Sequence, residues 1–327
     1  MRIAVTGSIA TDHLMVFPGS FAEQLITDKV DTVSLSFLVD QLEVRQGGVG
    51  ANITFGLGRL GLRPLLVGAA GVDFADHGRR LVEAGVDTTS VRVSETLHTA
   101  RFVCTTDRDQ NQIATFYTGA MAEAREIDLT ETYHRAQGLD LVLVGADDPE
   151  AMLRHTATAH ALGIRVAADP SQQLARLDSE QTRGLVEGAH LLFTNEYESA
   201  LLRERTGWSE EEVLERVGTW IVTRAADGVS ILTAAGGRQD IPAVPTDIAA
   251  DPTGVGDALR AGFLAGLAWS LSYESAAQLG CALATVVLES VGTQEYKLLP
   301  SDLVGRVDRV YGSAAAAELE PWLVAVS

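Results

Sequence analysis

Leu141-Val142-Leu143-Val144, a helical pattern over Pro149–Leu162, and Val166-Ala167-Ala168 follow one another within residues 141–168. The first run is short, wholly apolar and rich in branched side chains, as in a strand buried on both faces. Pro149 stands where a helix opens, because its missing N–H costs nothing in the first turn. The return to an apolar run at Val166 closes a strand–helix–strand unit, whose crossover is right-handed and whose strands are parallel. The same alternation continues on both sides. Leu185 lies in a helix, Leu191–Phe193 in a strand, Glu196–Arg205 in a helix and Trp220–Thr223 in a strand. Upstream, Ile3–Thr6 and Leu65–Val67 read as strands, and Ala51–Leu60 and Phe74–Ala84 as helices. The expectation is an α/β fold with a mostly parallel central sheet covered on both faces.

Two regions depart from this rhythm. Val33–Arg45 and Ala100–Tyr117 read as extended, and Arg101–Thr106 and Ile113–Tyr117 flank the polar turn Asp107–Asn111, as in a hairpin. We expect one α/β domain over residues 1–327, with a small β lid from about 12–46 and 95–118. Alternating Val33, Leu35 and Phe37 suggest an exposed apolar edge that pairs with a second copy, giving a homodimer through the lids.

Composition removes several functions. The formal net charge of −19 repels nucleic acid, so no nucleic-acid partner is expected. No apolar run approaches the ~20 residues of a membrane helix, and Asp12 follows Met1 too soon for a signal peptide, so a cytoplasmic protein with no membrane partner is expected. Cys104 and Cys281 form neither a disulfide framework nor a zinc site, and the seven histidines show no metal-binding spacing. The only lysines, Lys29 and Lys297, follow no glycine-rich loop, which excludes a P-loop. Any phosphate site must therefore be local, made of backbone N–H groups and a few arginines. Gly56-Leu57-Gly58-Arg59-Leu60-Gly61 fits GxGxxG, but it closes a helix and precedes a strand, the reverse of a dinucleotide site. It reads as close helix packing with Gly61 ending the helix.

Asp251-Pro252-Thr253-Gly254-Val255-Gly256-Asp257 leads into the apolar helical stretch Leu259–Leu267. Gly254 and Gly256 allow consecutive N–H groups to converge, and a helix N-terminus adds partial positive charge, which together make an anion site without lysine. Asp257 falls in the first turn, where it can stay ionised and accept a proton. An acidic residue that merely satisfies first-turn N–H groups is the alternative on spacing alone.

This segment resembles the DTxGAGD signature of the ribokinase-like (PfkB) carbohydrate and nucleoside kinases, with Val255 in place of the usual Ala or Gly. Gly47-Gly48-Val49-Gly50-Ala51-Asn52 resembles the acceptor-binding GGxxxN motif of that family, and Asn195-Glu196-Tyr197-Glu198 its NxxE motif. Thr223-Arg224-Ala225-Ala226-Asp227-Gly228 resembles its nucleotide-contacting TxGxxG, with Ala225 replacing the first glycine. Gly7–Asp12 resembles the opening GSxNxD, with Ala10 replacing the Asn that meets the anomeric end of a free sugar. The four motifs and this opening follow the family's order and span nearly the whole chain. They imply a ribokinase-like three-layer sandwich that uses ATP and Mg²⁺, with K⁺ as a further cation of the family.

Thr6–Asp12, His98–Phe102, Asp169–Arg176 and Leu288–Tyr296 are similar to bacterial adenosine kinases of this type. That likeness implies phosphorylation of the adenosine 5′-hydroxyl. Asp257 would be the base, and the amides of Gly254, Val255 and Gly256 the anion hole. Ser8, Asp12, Gly48 and Asn52 would hold the ribose, and Phe102 and Phe116 would sandwich the purine. Gln172 and Gln173 would line the pocket, and Arg176 would approach the phosphates. Asn195, Thr223, Arg224, Ala225, Ala226, Asp227, Gly228 and Gly256 would meet the nucleotide, with Glu198 ordering Mg²⁺ through water. Other nucleosides (guanosine, inosine, cytidine) and free sugars (ribose, fructose) are the alternative acceptors.

Overall fold

A computed structural model of the protein describes residues 1–24 and 36–324. Its strands, in chain order, are β1 (Ile3–Thr6), β2 (Ala10–Val16), β3 (Gln41–Gly47), β4 (Leu65–Ala70), β5 (Asp87–Val93), β6 (Ala100–Thr106) and β7 (Gln112–Tyr117). They continue with β8 (Leu141–Val144), β9 (Arg165–Ala168), β10 (Leu191–Asn195), β11 (Thr219–Thr223), β12 (Val229–Thr233) and β13 (Arg238–Ile241). One sheet has the order β13-β12-β11-β10-β9-β8-β1-β4-β5, and a second has the order β3-β2-β6-β7. The large sheet is parallel from β11 to β5, with β12 and β13 antiparallel at one edge.

The short apolar strands feed two cores. Ile3, Val5, Leu141 and Leu143 point to one face, under helices Val49–Arg59, Val255–Ala268 and Tyr273–Leu288. Ala4, Val142 and Val144 point to the other, under Pro149–Ala161, Ser179–Val186 and Glu196–Thr206. This alternation is the period of two of a pleated strand, and both faces are covered because both are apolar. Val255–Ala268 packs closely on its neighbour, since a Cβ on Gly262 would lie 2.6 Å from the Gly280 Cα.

β1 lies between β8 and β4, so the chain leaves it toward opposite edges of the sheet. Such a switch point opens a crevice at the carboxyl ends of the strands. Here the ends are tied together: Gly145 N–H donates to the Thr6 carbonyl at 2.8 Å, and Ser8 N–H to the Ala146 carbonyl at 3.0 Å.

The small sheet departs from the expectation at its first strand. Val33 and Leu35 lie outside the described residues, and residues 36–40 carry no strand. Phe37 instead packs against Phe17 and Phe21, with ring centroids 5.0 and 4.8 Å apart, so its apolar character belongs to an aromatic cluster. The expected hairpin is β6–β7. Asp107 fixes its turn, with Oδ1 accepting the N–H groups of Asp109 and Asn111 at 2.9 and 2.8 Å. β2 carries Asp12 and His13 and was not legible as a strand. GxGxxG ends the helix Val49–Arg59, with Gly61 at φ +80°. Cys104 and Cys281 are buried and unpaired. No helix among the described residues is long and apolar enough to cross a membrane.

Candidate active site

Gly254 caps the helix Val255–Ala268 with a left-handed φ of +75°, and no side chain caps that end. A Cβ on Gly254 would also meet the Thr293 Cγ2 at 2.7 Å, so both conformation and space require glycine. The first-turn N–H groups therefore face outward at the positive end of a helix, a site for an anion. Asp251 holds the loop in place: its Oδ1 accepts Thr253 N–H at 2.9 Å, and its Oδ2 accepts Gly292 N–H at 3.0 Å.

Asp257 follows in the first turn, partly exposed at the floor of a cleft of about 560 Å³. The Asn52 Nδ2 donates to its Oδ2 at 2.8 Å. Burial pushes its carboxyl up to about 7, Asn52 and Arg260 oppose this, and Asp169 and Glu198 add to it. The helix terminus thus leaves the group only about half ionised at neutral pH, where the sequence suggested a carboxylate that stays ionised. It stands near the midpoint of its titration at neutral pH, which suits a general base. Arg260, one turn on, forks onto Asp169 at 2.5 and 2.6 Å, with both side chains buried.

Asn52 lies on Val49–Arg59. That helix is capped by Gly48 at φ +99°, where a Cβ would lie 2.5 Å from the Ser8 carbonyl oxygen. Ser8 Oγ accepts Val49 N–H at 3.0 Å, so this hydroxyl supports the helix end as well as lining the cleft. The lid closes the cleft with one cross-strand row. Asp12 on β2 pairs with Arg45 on β3 and Phe102 on β6, and Phe102 pairs with Phe116 on β7. All four line the cleft. Phe102 and Phe116 stand side by side on one sheet face, so they form a single wall in place of the expected sandwich. Burial, with Asp251 beside it, raises the Asp12 carboxyl to about 6 against the opposing pull of Arg45.

Gln172, Gln173 and Arg176 line the facing wall. Gln173 is buried and fixed: its Nε2 donates to the Asp147 carbonyl at 2.7 Å, which leaves its Oε1 without a protein partner. Ser171 Oγ donates to the Gln172 Oε1 at 2.6 Å, which leaves the Gln172 N–H groups as the free donors. The exposed Gln172 amide thus offers donors to the cleft, while the Gln173 Oε1 is buried behind it.

A second cleft of about 490 Å³ lies across the helix terminus. Thr223, Ala225, Ala226 and Gly228 line it with Val244, Thr285 and Leu288, and Pro252, Val255 and Gly256 form the wall it shares with the first cleft. Ala225 has a left-handed φ of +47°, the conformation that glycine serves in the resembling motif. Arg224 and Asp227 do not line this cleft. Arg224 instead pairs with Asp240 at 3.2 Å. Asn195 and Glu198 form a capping box, each side chain accepting the other's backbone N–H at 2.7 and 2.8 Å. Among the described residues no three metal-ligating side chains cluster. Asn195 and Glu198 line neither cleft, and the buried Glu198 carboxylate is compatible only with a Mg²⁺ reached through the waters that this ion keeps.

Arg45, Met121, Thr293 and the Arg260–Asp169 pair were not singled out from sequence. Arg260 alone left a usable signal, a charge inside an otherwise apolar helix. The chain matches the model of the pfkB family carbohydrate kinases over residues 9–300. It is 31% identical over 254 residues to a nucleoside kinase of Methanocaldococcus jannaschii, covering 76% of this chain and 80% of that one. It superposes on Burkholderia thailandensis nucleoside kinase in complex with inosine with a TM-score of 0.82 at 32% identity, covering 95% and 99% of the two chains. For the same protein in complex with ADP-inosine the TM-score is 0.81 at 33% identity, covering 95% and 97%.

Proposed function

Because this chain belongs to the pfkB family of carbohydrate kinases, matched over residues 9–300, we propose that it transfers the ATP γ-phosphoryl group to the 5′-hydroxyl of adenosine. One observation carries this reading. Two clefts share a single wall, and that wall is the uncapped helix terminus bearing Asp257. Nucleoside fills the first cleft and ATP the second, so the transferring phosphoryl group passes the N–H groups of Gly254, Val255 and Gly256.

Phosphoryl transfer asks the protein for position and charge stabilisation more than for covalent chemistry. Asp257 takes the hydroxyl proton, while Asn52 holds one of its oxygens and leaves the other for the substrate. Arg260 balances the charge beneath the anion hole, and Asp169 fixes Arg260. Asp12 and Asn52 accept the ribose beside Ser8 and Gly48. Mg²⁺, held through water at Glu198 beside Asn195, would neutralise phosphate charge. The apolar second cleft suits a purine, with Thr223, Ala225, Ala226 and Gly228 against the nucleotide. A K⁺ requirement is tested by replacing K⁺ with Na⁺ in the same assay.

The acceptor is a nucleoside because one lid wall is aromatic and the opposite wall presents the free Gln172 N–H donors. Such a donor can meet the adenine N1 and equally the hypoxanthine O6, so inosine is the second reading. The outer lid face exposes Leu42, Val44, Ile113 and Tyr117, and a homodimer joins there. Residues 1–327 act as one kinase domain with its lid. The test is ADP release with Mg·ATP and adenosine, inosine, guanosine, cytidine, ribose or fructose. Adenosine should give the highest kcat/KM. A ten-fold preference for ribose or fructose would leave Phe102 and Phe116 as lid packing and overturn the nucleoside reading.

A further inference from the structure

His77 lies on the helix Ala75–Glu83 and is 2% exposed. Its Nε2 is 3.1 Å from the Gln294 Oε1. The Gln294 Nε2 donates to the Asn52 Oδ1 at 2.9 Å, and the Asn52 Nδ2 donates to the Asp257 Oδ2 at 2.8 Å. Four side chains far apart in sequence thus form one line that ends on the base. We propose that His77 and Gln294 are positioning residues, whose one-way chain of hydrogen bonds fixes the Asn52 amide so that it presents an N–H to Asp257. This rests on the kinase reading with Asp257 as base.

The direction of the chain follows from its far end. The Gln294 Oε1 is an acceptor, so the His77 Nε2 must carry the proton. The His77 Nδ1 is buried without a partner, and a bare ring nitrogen is tolerated there better than an orphaned N–H. Burial also holds the imidazolium form well below its ordinary range, near pH 4, so the ring stays neutral. With Gln294 oriented by His77, its N–H points to the Asn52 Oδ1, and the Asn52 amide can only turn its own N–H to the carboxylate. Thr293 also reaches the Asn52 Oδ1 at 2.9 Å, but the Gln46 carbonyl at 3.0 Å competes for its single hydroxyl proton. Without the chain the amide can flip and set its oxygen against Asp257, which favours the protonated acid.

The charged groups around Asp257 are Arg260 on its own helix, Asp169 after β9 and Glu198 on the helix Glu196–Thr206. Arg80 lies near His77. None of these is altered in the variants below.

The experiment titrates Asp257 by ¹³C NMR of the full chain carrying labelled aspartate, with Asp257→Asn giving the assignment. In parallel it measures kcat/KM for adenosine with Mg·ATP from pH 5.5 to 9. Gln294→Met, Gln294→Glu and His77→Leu should raise the Asp257 pKa by about half to one unit. Their kcat/KM at pH 6.5 relative to pH 8.5 should fall about two- to six-fold further than in the wild type. His77→Gln, which keeps a donor near the Nε2 position, should leave both unchanged. A merely structural role would lower Tm without moving the titration. An unmoved Asp257 titration in variants that melt within a few degrees of the wild type overturns the chain. Wild-type protein that phosphorylates no nucleoside overturns the kinase reading instead, and the NMR titration still judges the chain.

Discussion

At the scale of single residues, the site works by setting one carboxyl against its surroundings. Burial raises Asp257, and the Asn52 amide with Arg260 brings it back to about 7. The base is active when ionised, so kcat/KM should fall as pH drops through about 7, and an acid limb at pH 4–5 would contradict this environment. Asp12, raised to about 6, should broaden the same limb if, as proposed, its carboxylate accepts the ribose hydroxyls. The position of Asp257 in the first turn of the helix was legible from its place behind Gly254 and Gly256. Its proton affinity was not, because Asn52, Asp169 and Glu198 come from elsewhere in the chain. Likewise Asn195 and Glu198 were legible as a motif, while their capping box is a matter of local geometry.

At the scale of elements, the apolar strands and the helices between them were readable because each carries its own period. The lid was harder. Its central strand β2 mixes Asp12 and His13 with apolar residues, since one face lines the cleft and the other faces away from it. The row Arg45–Asp12–Phe102–Phe116 depends on register across four strands, which no single strand encodes. Register also separates the two faces, with Leu42, Val44, Ile113 and Tyr117 on the outer one. An apolar strand face left open favours association. Leu42→Glu with Val44→Glu should convert a dimer at micromolar concentration to a monomer on size exclusion. A wild-type protein that already elutes as a monomer contradicts the lid interface.

At the scale of the whole molecule, the position of both clefts follows from strand order. β1 sits at the switch point, and the helix Val255–Ala268 brings its N-terminus to the same end of the sheet. The antiparallel edge β12–β13 and the helices after Tyr273 escaped the sequence reading because they lie beyond the regular alternation. The fold also carries a pH signature. Asp12, Asp147 and Asp257 hold their protons to about 6, 8 and 7, burial being the largest cause for each. The unfolded chain releases them near pH 4, so it binds fewer protons over this window and stability falls as pH rises. Carboxylates held low, such as Asp73 and Asp128, matter only below about pH 4, where their contribution is lost as pH falls. Tm should therefore be higher at pH 6 than at pH 8, and Asp147→Asn should narrow the gap. A Tm that rises from pH 6 to pH 8 would count against these raised carboxyls.

The most direct test is turnover of Asp257→Asn with saturating adenosine and Mg·ATP. General-base catalysis is worth about 10²–10⁴-fold, and the substitution keeps the size of the side chain. We expect kcat to fall by at least about 10²-fold while adenosine binding by calorimetry persists. Turnover near the wild-type rate would contradict the assignment of Asp257 as the base at the wall between the two clefts.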